Sequence, residues 1–216
     1  MIHGDPEFVL TLHSVIEFIG TFAFALSGIR LAASKHYDWL GGFVCGVAVA
    51  IGGGTIRDVM LGVRPFWMLS PIYLICTLFA QLVVIACHRY LKRLDNTWFL
   101  FDTLGLALFN IAGIQKSLEC GFSFWVAIIM GCITGAAGGV IRDVLLNEEP
   151  VIFRKEIYAM ACVVGGTFYW MCHLLGMESF VCQIVGGVTV FVTRILAVKY
   201  RICLPILSGN EEEQEG

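Results

Sequence analysis

The sequence predicts an all-α polytopic membrane protein of seven transmembrane helices, arranged as two inverted three-helix repeats plus a seventh helix. Three observations predict it. The 216 residues are 58% hydrophobic and only 14% charged, with a mean hydropathy of +0.82, more apolar side chain than a soluble domain of this length can bury. Seven apolar segments are long enough to supply the ~20 helical residues that cross a ~30 Å hydrocarbon core. One motif occurs twice: Gly-Gly-Gly-Thr-Ile-Arg-Asp-Val-Met-Leu at 52–61 returns, 85 residues on, as Ala-Gly-Gly-Val-Ile-Arg-Asp-Val-Leu-Leu at 137–146.

The predicted spans are about 9–29, 39–61 and 66–88 in a first repeat (about 9–90), then 97–115, 122–146 and 151–175 in a second (about 97–175). A seventh runs from about 179 to 199. Connections are short, so residues 1–200 form one transmembrane domain. The segment 201–216, with Glu211, Glu212, Glu213 and Glu215, reads as a disordered acidic cytoplasmic tail. Residues 4–8, Gly-Asp-Pro-Glu-Phe, have the composition of a cloning linker and carry no weight.

The 85-residue offset extends past the motif. Glu17 matches Asp102, Gly20 matches Gly105, and Phe24 matches Phe109. Gly28, Gly46, Pro65 and Tyr73 match Gly113, Gly131, Pro150 and Tyr158, and Cys87-His88 matches Cys172-His173. A three-span unit has an odd number of crossings, so its second copy enters from the opposite side. Lys/Arg placement orients the chain. Eleven fall on one side (Arg30, Lys35, Arg89, Lys92, Arg93, Arg142, Arg154, Lys155, Arg194, Lys199, Arg201) and three on the other (Arg57, Arg64, Lys116). Positive charge favours the cytoplasm, which puts the N-terminus outside and the C-terminus inside.

Several function classes are excluded. The net charge of −3 predicts no nucleic-acid footprint. The nine cysteines lack C-x-x-C spacing and read as small buried hydrophobes. No metal-ligand cluster, nucleotide motif or nucleophile–base pair is present, which predicts no enzyme, no fixed metal and no cofactor. Trp39, Trp67, Trp98, Trp125 and Trp170 fall mostly near span ends, as an aromatic belt places them. Arg89, Lys92 and Arg93 suit anionic lipid at the cytoplasmic face, although the positive-inside rule already explains them.

Candidate functional residues come in duplicate. Gly52, Gly53, Gly54 and Gly138, Gly139 read either as kinks or unwound turns beside a pathway, or as close helix packing through small residues. Arg57-Asp58 and Arg142-Asp143 are costly in lipid and demand partners. Adjacent residues on a helix diverge by about 100°, so the expected partners lie on neighbouring spans. Glu17 and Asp102 are intramembrane carboxylates, able to attract cations or to act as counter-ions to the arginines. Ser27, Thr55 and Thr134 offer neutral oxygens, or bond back to their own helices. His88 and His173 sit at span ends, and Gln183 and Arg194 on the seventh span decide nothing.

Seven spans in duplicated halves, with Gly-Gly-Gly-x-Ile-Arg-Asp in span 2 echoed in span 5, resemble the trimeric intracellular cation (TRIC) channel family in its prokaryotic branch. The resemblance covers roughly residues 10–200. It implies a homotrimer in a prokaryotic inner membrane, each protomer carrying a pore for K⁺ and Na⁺ beside spans 2 and 5, kinked at their glycines. The Lys-Glu-Val signature of vertebrate members is absent, since the corresponding region reads Phe109-Asn-Ile-Ala-Gly-Ile-Gln-Lys116, so vertebrate voltage or Ca²⁺ regulation does not carry over. Prokaryotic relatives also bear the label of glycine transporter, which leaves a carrier of a small zwitterion as the alternative.

Overall fold

The computed structural model describes residues 6–87, 97–154 and 157–203, with side chains from Ser14 onward, Thr97 excepted. The chain is an all-helical membrane protein. Its α-helices are α1 (Pro6–Ser34), α2 (Trp39–Met60), α3 (Phe66–Leu69), α4 (Ile72–Ala86), α5 (Thr97–Glu119), α6 (Phe124–Leu145), α7 (Ala159–Leu174) and α8 (Ser179–Lys199), with a 3-10 turn at Val151–Phe153. Five of them, α1, α2, α5, α6 and α8, are long and apolar enough to cross a membrane.

The expected spans 66–88 and 151–175 are each broken. The first divides into the four residues of α3 and the 15 of α4; the second into the 3-10 turn and the 16 of α7. At 1.5 Å per residue, α4 and α7 reach only about 22–24 Å. Proline accounts for the first break, because Pro71 stands at the N-cap of α4 and offers no N–H to continue α3. Pro65 and Pro150 head the short elements themselves. His88, Arg89, Lys92, Arg93, Lys155 and the tail beyond Cys203 lie outside the described residues.

A second correction concerns the glycines. α2 and α6 run as unbroken helices through Gly52–Gly54 and Gly138–Gly139, so neither helix unwinds there. In lipid a backbone group without an intrahelical partner has no water to turn to, and packing outweighs the ~1 kcal/mol helix penalty of each glycine. A side chain on Gly53 would collide with the Thr134 carbonyl oxygen, and one on Gly138 would approach the Val49 carbonyl to 2.7 Å. Val49 and Thr134 stand 85 residues apart, as do Gly53 and Gly138. The two collisions are therefore one contact met twice, where α2 and α6 cross antiparallel.

The same reciprocity runs between α1 and α5. Gly20 lies under the Phe109 ring and Gly105 under Phe24, and the two rings stack at 5.3 Å with planes 10° apart. Helix ends match as well. α2 closes on Gly62 and α6 on Asn147, both with positive φ, the left-handed residue that lets a terminal N–H turn back onto the last helical carbonyls. Of the cysteines, Cys45, Cys76, Cys162, Cys172 and Cys182 are buried as expected, whereas Cys120 and Cys203 are exposed.

Candidate functional site: two buried arginine–carboxylate clusters

Arg57 and Arg142 sit in the last turns of α2 and α6, and both are fully buried. The helix ends deliver their partners. Asp58 Oδ1 accepts from Arg57 Nε at 2.8 Å, while Asp58 Oδ2 accepts from the Phe66 N–H at 2.8 Å, tying the end of α2 to the start of α3. In the second half Asp143 Oδ1 accepts from Arg142 Nε at 2.8 Å and Oδ2 from the Val151 N–H at 3.0 Å. Each aspartate therefore spends one oxygen on its own arginine and the other on the N–H that follows a proline. Helical divergence left open whether Arg57 and Arg142 face Asp58 and Asp143, and both do. A long guanidinium arm reaches back to a short carboxylate one residue on despite the 100° divergence.

The expected partners on neighbouring spans are also present. Arg57 Nη2 reaches Glu17 Oε1 on α1 at 3.4 Å, and Arg142 Nη1 reaches Asp102 Oδ1 on α5 at 2.5 Å. Tyrosines complete the clusters. Tyr73 Oη donates to Glu17 Oε2 at 2.9 Å, and Tyr158 Oη to Asp102 Oδ1 at 3.5 Å. Aromatic faces cover both cations, Phe66 at 5.6 Å from Arg57 and Trp98 at 5.2 Å from Arg142. Glu17, Asp58, Asp102 and Asp143 are each at most 4% exposed. Each cluster sets two carboxylates around the arginine of its own motif, held by hydrogen bonds because bare charge in this medium costs several kcal/mol.

The halves differ in detail. Arg142 Nη1 also donates to Ser27 Oγ at 2.8 Å; the matching residue beside Arg57 is Ala112, and Arg57 Nη1 makes no hydrogen bond. In the first half the carboxylate sits closer to the tyrosine than to the arginine, and in the second the order reverses. Thr55 and Thr134 donate back to Ile51 and Met130 in their own helices, and Thr55 Oγ1 also accepts from Trp67 Nε1 at 3.0 Å. Trp39 and Trp125 are exposed at helix starts, as a belt requires, whereas Trp67 and Trp98 are used internally.

Sequence reasoning missed three contributors. Tyr73 and Tyr158 were visible only as a matched pair. Arg194 on α8 is fully buried, held between the Phe99 and Tyr158 rings at 5.0 and 4.8 Å, and donates to the Ile157 carbonyl at 3.0 Å. An arginine deep in an apolar span was the available signal.

The family model described as "Glycine transporter" matches the chain twice, at residues 14–89 and 99–174. A UPF0126 membrane protein of Vibrio cholerae is 38% identical over 93% of this chain and 86% of its own length. The UPF0126 inner membrane protein YadS of Escherichia coli K12 is 36% identical over 91% and 96%. The TRIC orthologue of Rhodobacter sphaeroides superposes with a TM-score of 0.84 at 29% identity, covering 88% of this chain and 99% of that one. A TRIC cation channel studied for its conductance gives 0.80 at 32% identity, over 91% and 98%. The chain belongs to the prokaryotic branch of the TRIC channel family. Within this TRIC protein the two family-model matches begin 85 residues apart, and each contains the arginine, the two carboxylates and the tyrosine of one cluster.

Proposed function

We propose that this TRIC protein is a monovalent cation channel for K⁺ and Na⁺ rather than an enzyme, assembled as a homotrimer in a prokaryotic inner membrane with one pore in each protomer. The observation that carries this reading is the pair of buried clusters, each with two carboxylates to one arginine. Buried carboxylates at both ends of the α2–α6 crossing favour cations and disfavour anions. The reading takes α4 and α7, extended by α3 and the 3-10 turn, as spans three and six of seven. It takes the halves as inverted repeats, supported by the reciprocal contacts Gly53–Thr134 and Gly138–Val49. The Lys/Arg count then sets the N-terminus outside and the C-terminus in the cytoplasm, where the basic face meets anionic lipid.

In this scheme Gly52, Gly53, Gly54, Gly138 and Gly139 let α2 and α6 bend against each other, with Thr55 beside them. Arg57 and Arg142 close the path by holding Glu17, Asp58, Asp102 and Asp143, and open it by exchanging carboxylates. Purified protein in a planar bilayer under a KCl gradient tests it. Unitary steps with a cation-selective reversal potential are expected, altered in Arg57→Gln and Arg142→Gln. Unchanged currents in both variants sink the gating role, and the absence of any flux sinks the channel.

A glycine carrier is the second reading, favoured by the family description that matches both halves. Saturable glycine counterflow without unitary steps selects it.

A further inference from the structure

Outside both clusters, Cys132 on α6 meets Cys162 in the first turn of α7. We infer that these two thiols are a peroxide-responsive modification site, in which hydrogen peroxide oxidises Cys132 and Cys162 resolves the product to a reversible disulfide joining α6 to α7. The role is independent of the conduction reading.

Two contacts bring the sulfurs together. Cys132 Sγ donates to the Ala159 carbonyl at 3.7 Å. A helical carbonyl points along its axis toward the residues three and four positions on, and Cys162 is three on from Ala159. The Cys132 and Cys162 side chains are also hydrogen-bonded to each other. Asn110 steadies the receiving turn from α5, its Nδ2 donating to the Cys162 carbonyl at 3.3 Å. Both cysteines are free thiols.

Their exposures differ as such chemistry requires. Cys162 is fully buried and Cys132 only partly so. Ile129 and Trp125, one and two turns before Cys132, are exposed on the outer face of α6, so Cys132 borders the surface that a small uncharged oxidant reaches through the apolar layer. An accessible thiol beside a shielded second one is the arrangement of a sensing and a resolving cysteine. Packing of the duplicated helices does not by itself demand the pair, because the equivalent positions in the first half are Val47 and Thr77.

The chemistry balances in two steps. The Cys132 thiolate attacks one peroxide oxygen and the O–O bond breaks. The departing hydroxide takes the proton that Cys132 released, leaving water and a sulfenic acid. The Cys162 sulfur then attacks the Cys132 sulfur, the S–O bond breaks, and hydroxide leaves with the Cys162 proton as a second water. The pair loses two electrons and the peroxide gains them. The new bond fastens the first turn of α7, beside its N-cap Tyr158, to the middle of α6.

The test treats the full chain in nanodiscs with hydrogen peroxide, digests it without reductant and maps it by mass spectrometry. A Cys132–Cys162 linked peptide is expected, lighter than its two thiol peptides by two hydrogens (about 2 Da) and separated again by dithiothreitol. In Cys162→Ala the sulfenic acid on Cys132 should persist, and its capture by dimedone should rise severalfold over wild type. In Cys132→Ala, Cys162 should stay unlabelled because it is shielded. If Cys162→Ala fails to fold, the linked peptide in the unsubstituted chain still decides. Absence of that link overturns the assignment, as does linkage confined to the exposed Cys120 or Cys203. Dimedone capture on Cys132 that is equal in wild type and Cys162→Ala, or capture on Cys162 in Cys132→Ala, overturns it too.

Discussion

Phe24 and Phe109 stack face to face across the middle of the protein, and each ring covers the glycine that precedes its partner by four residues. Positions 24 and 109, like 20 and 105, are equivalents in the duplicated sequence. Neither half can adjust its groove without displacing the ring that fills the other's.

Substitution at the α2–α6 crossing should therefore be costly in proportion to how rigid the obstructing atom is. Gly53→Ala meets a backbone carbonyl and Gly52→Ala only the end of the Ile141 side chain. Gly53→Ala is expected to destabilise by roughly 1–3 kcal/mol, and Gly52→Ala by less. Thermal unfolding in detergent ranks them, and equal losses contradict the crossing geometry.

The two ion pairs should couple unequally. Removing one member of a buried pair costs about 3–5 kcal/mol, but the Arg142–Asp102 contact is shorter than Arg57–Glu17. A double-mutant cycle on Arg142→Met with Asp102→Leu should give the larger interaction energy, against Arg57→Met with Glu17→Leu.

Ala112→Ser should repair the first cluster. It supplies Arg57 with the hydroxyl that Ser27 supplies to Arg142, and a gain of about 0.5–1.5 kcal/mol is expected. Ser27→Ala should lose a similar amount. Under the gating proposal Ala112→Ser also lowers open probability in single-channel records.

One exposed pair gives a pH signature. The Lys35 ammonium, hydrogen-bonded to Glu148 and charged, holds that carboxyl below its ordinary value. A depressed folded pKa stabilises the fold above the unfolded value of about 4.3 and loses that contribution as pH falls through the folded one. The difference in melting temperature between wild type and Glu148→Gln should be small at neutral pH and vanish in acid. A difference that grows on acidification contradicts the pairing.

Much of this was legible in the sequence, because membrane burial and duplication both leave strong marks. Long apolar runs give away α1, α2, α5, α6 and α8, and the offset picks out Glu17 with Asp102 before any contact is known. The break before α4 was harder, since the apolar run continues past Pro71 while the helix does not; before α7 the sequence itself interrupts the run with Arg154, Lys155 and Glu156. Helical angle left the partners of Arg57 open, and side-chain reach gives it both Asp58 and Glu17. The glycines suit both a weak helix and a tight contact, and only the position of the opposing carbonyls separates the two.

Arg194 has no counterpart, because α8 lies outside the duplication. Exchanging two identical halves would leave the energy of the molecule unchanged, so a perfectly doubled protein would have no preferred end. By gripping Tyr158 between its guanidinium and the second cluster, while Tyr73 answers only to the first, α8 gives the molecule a front and a back.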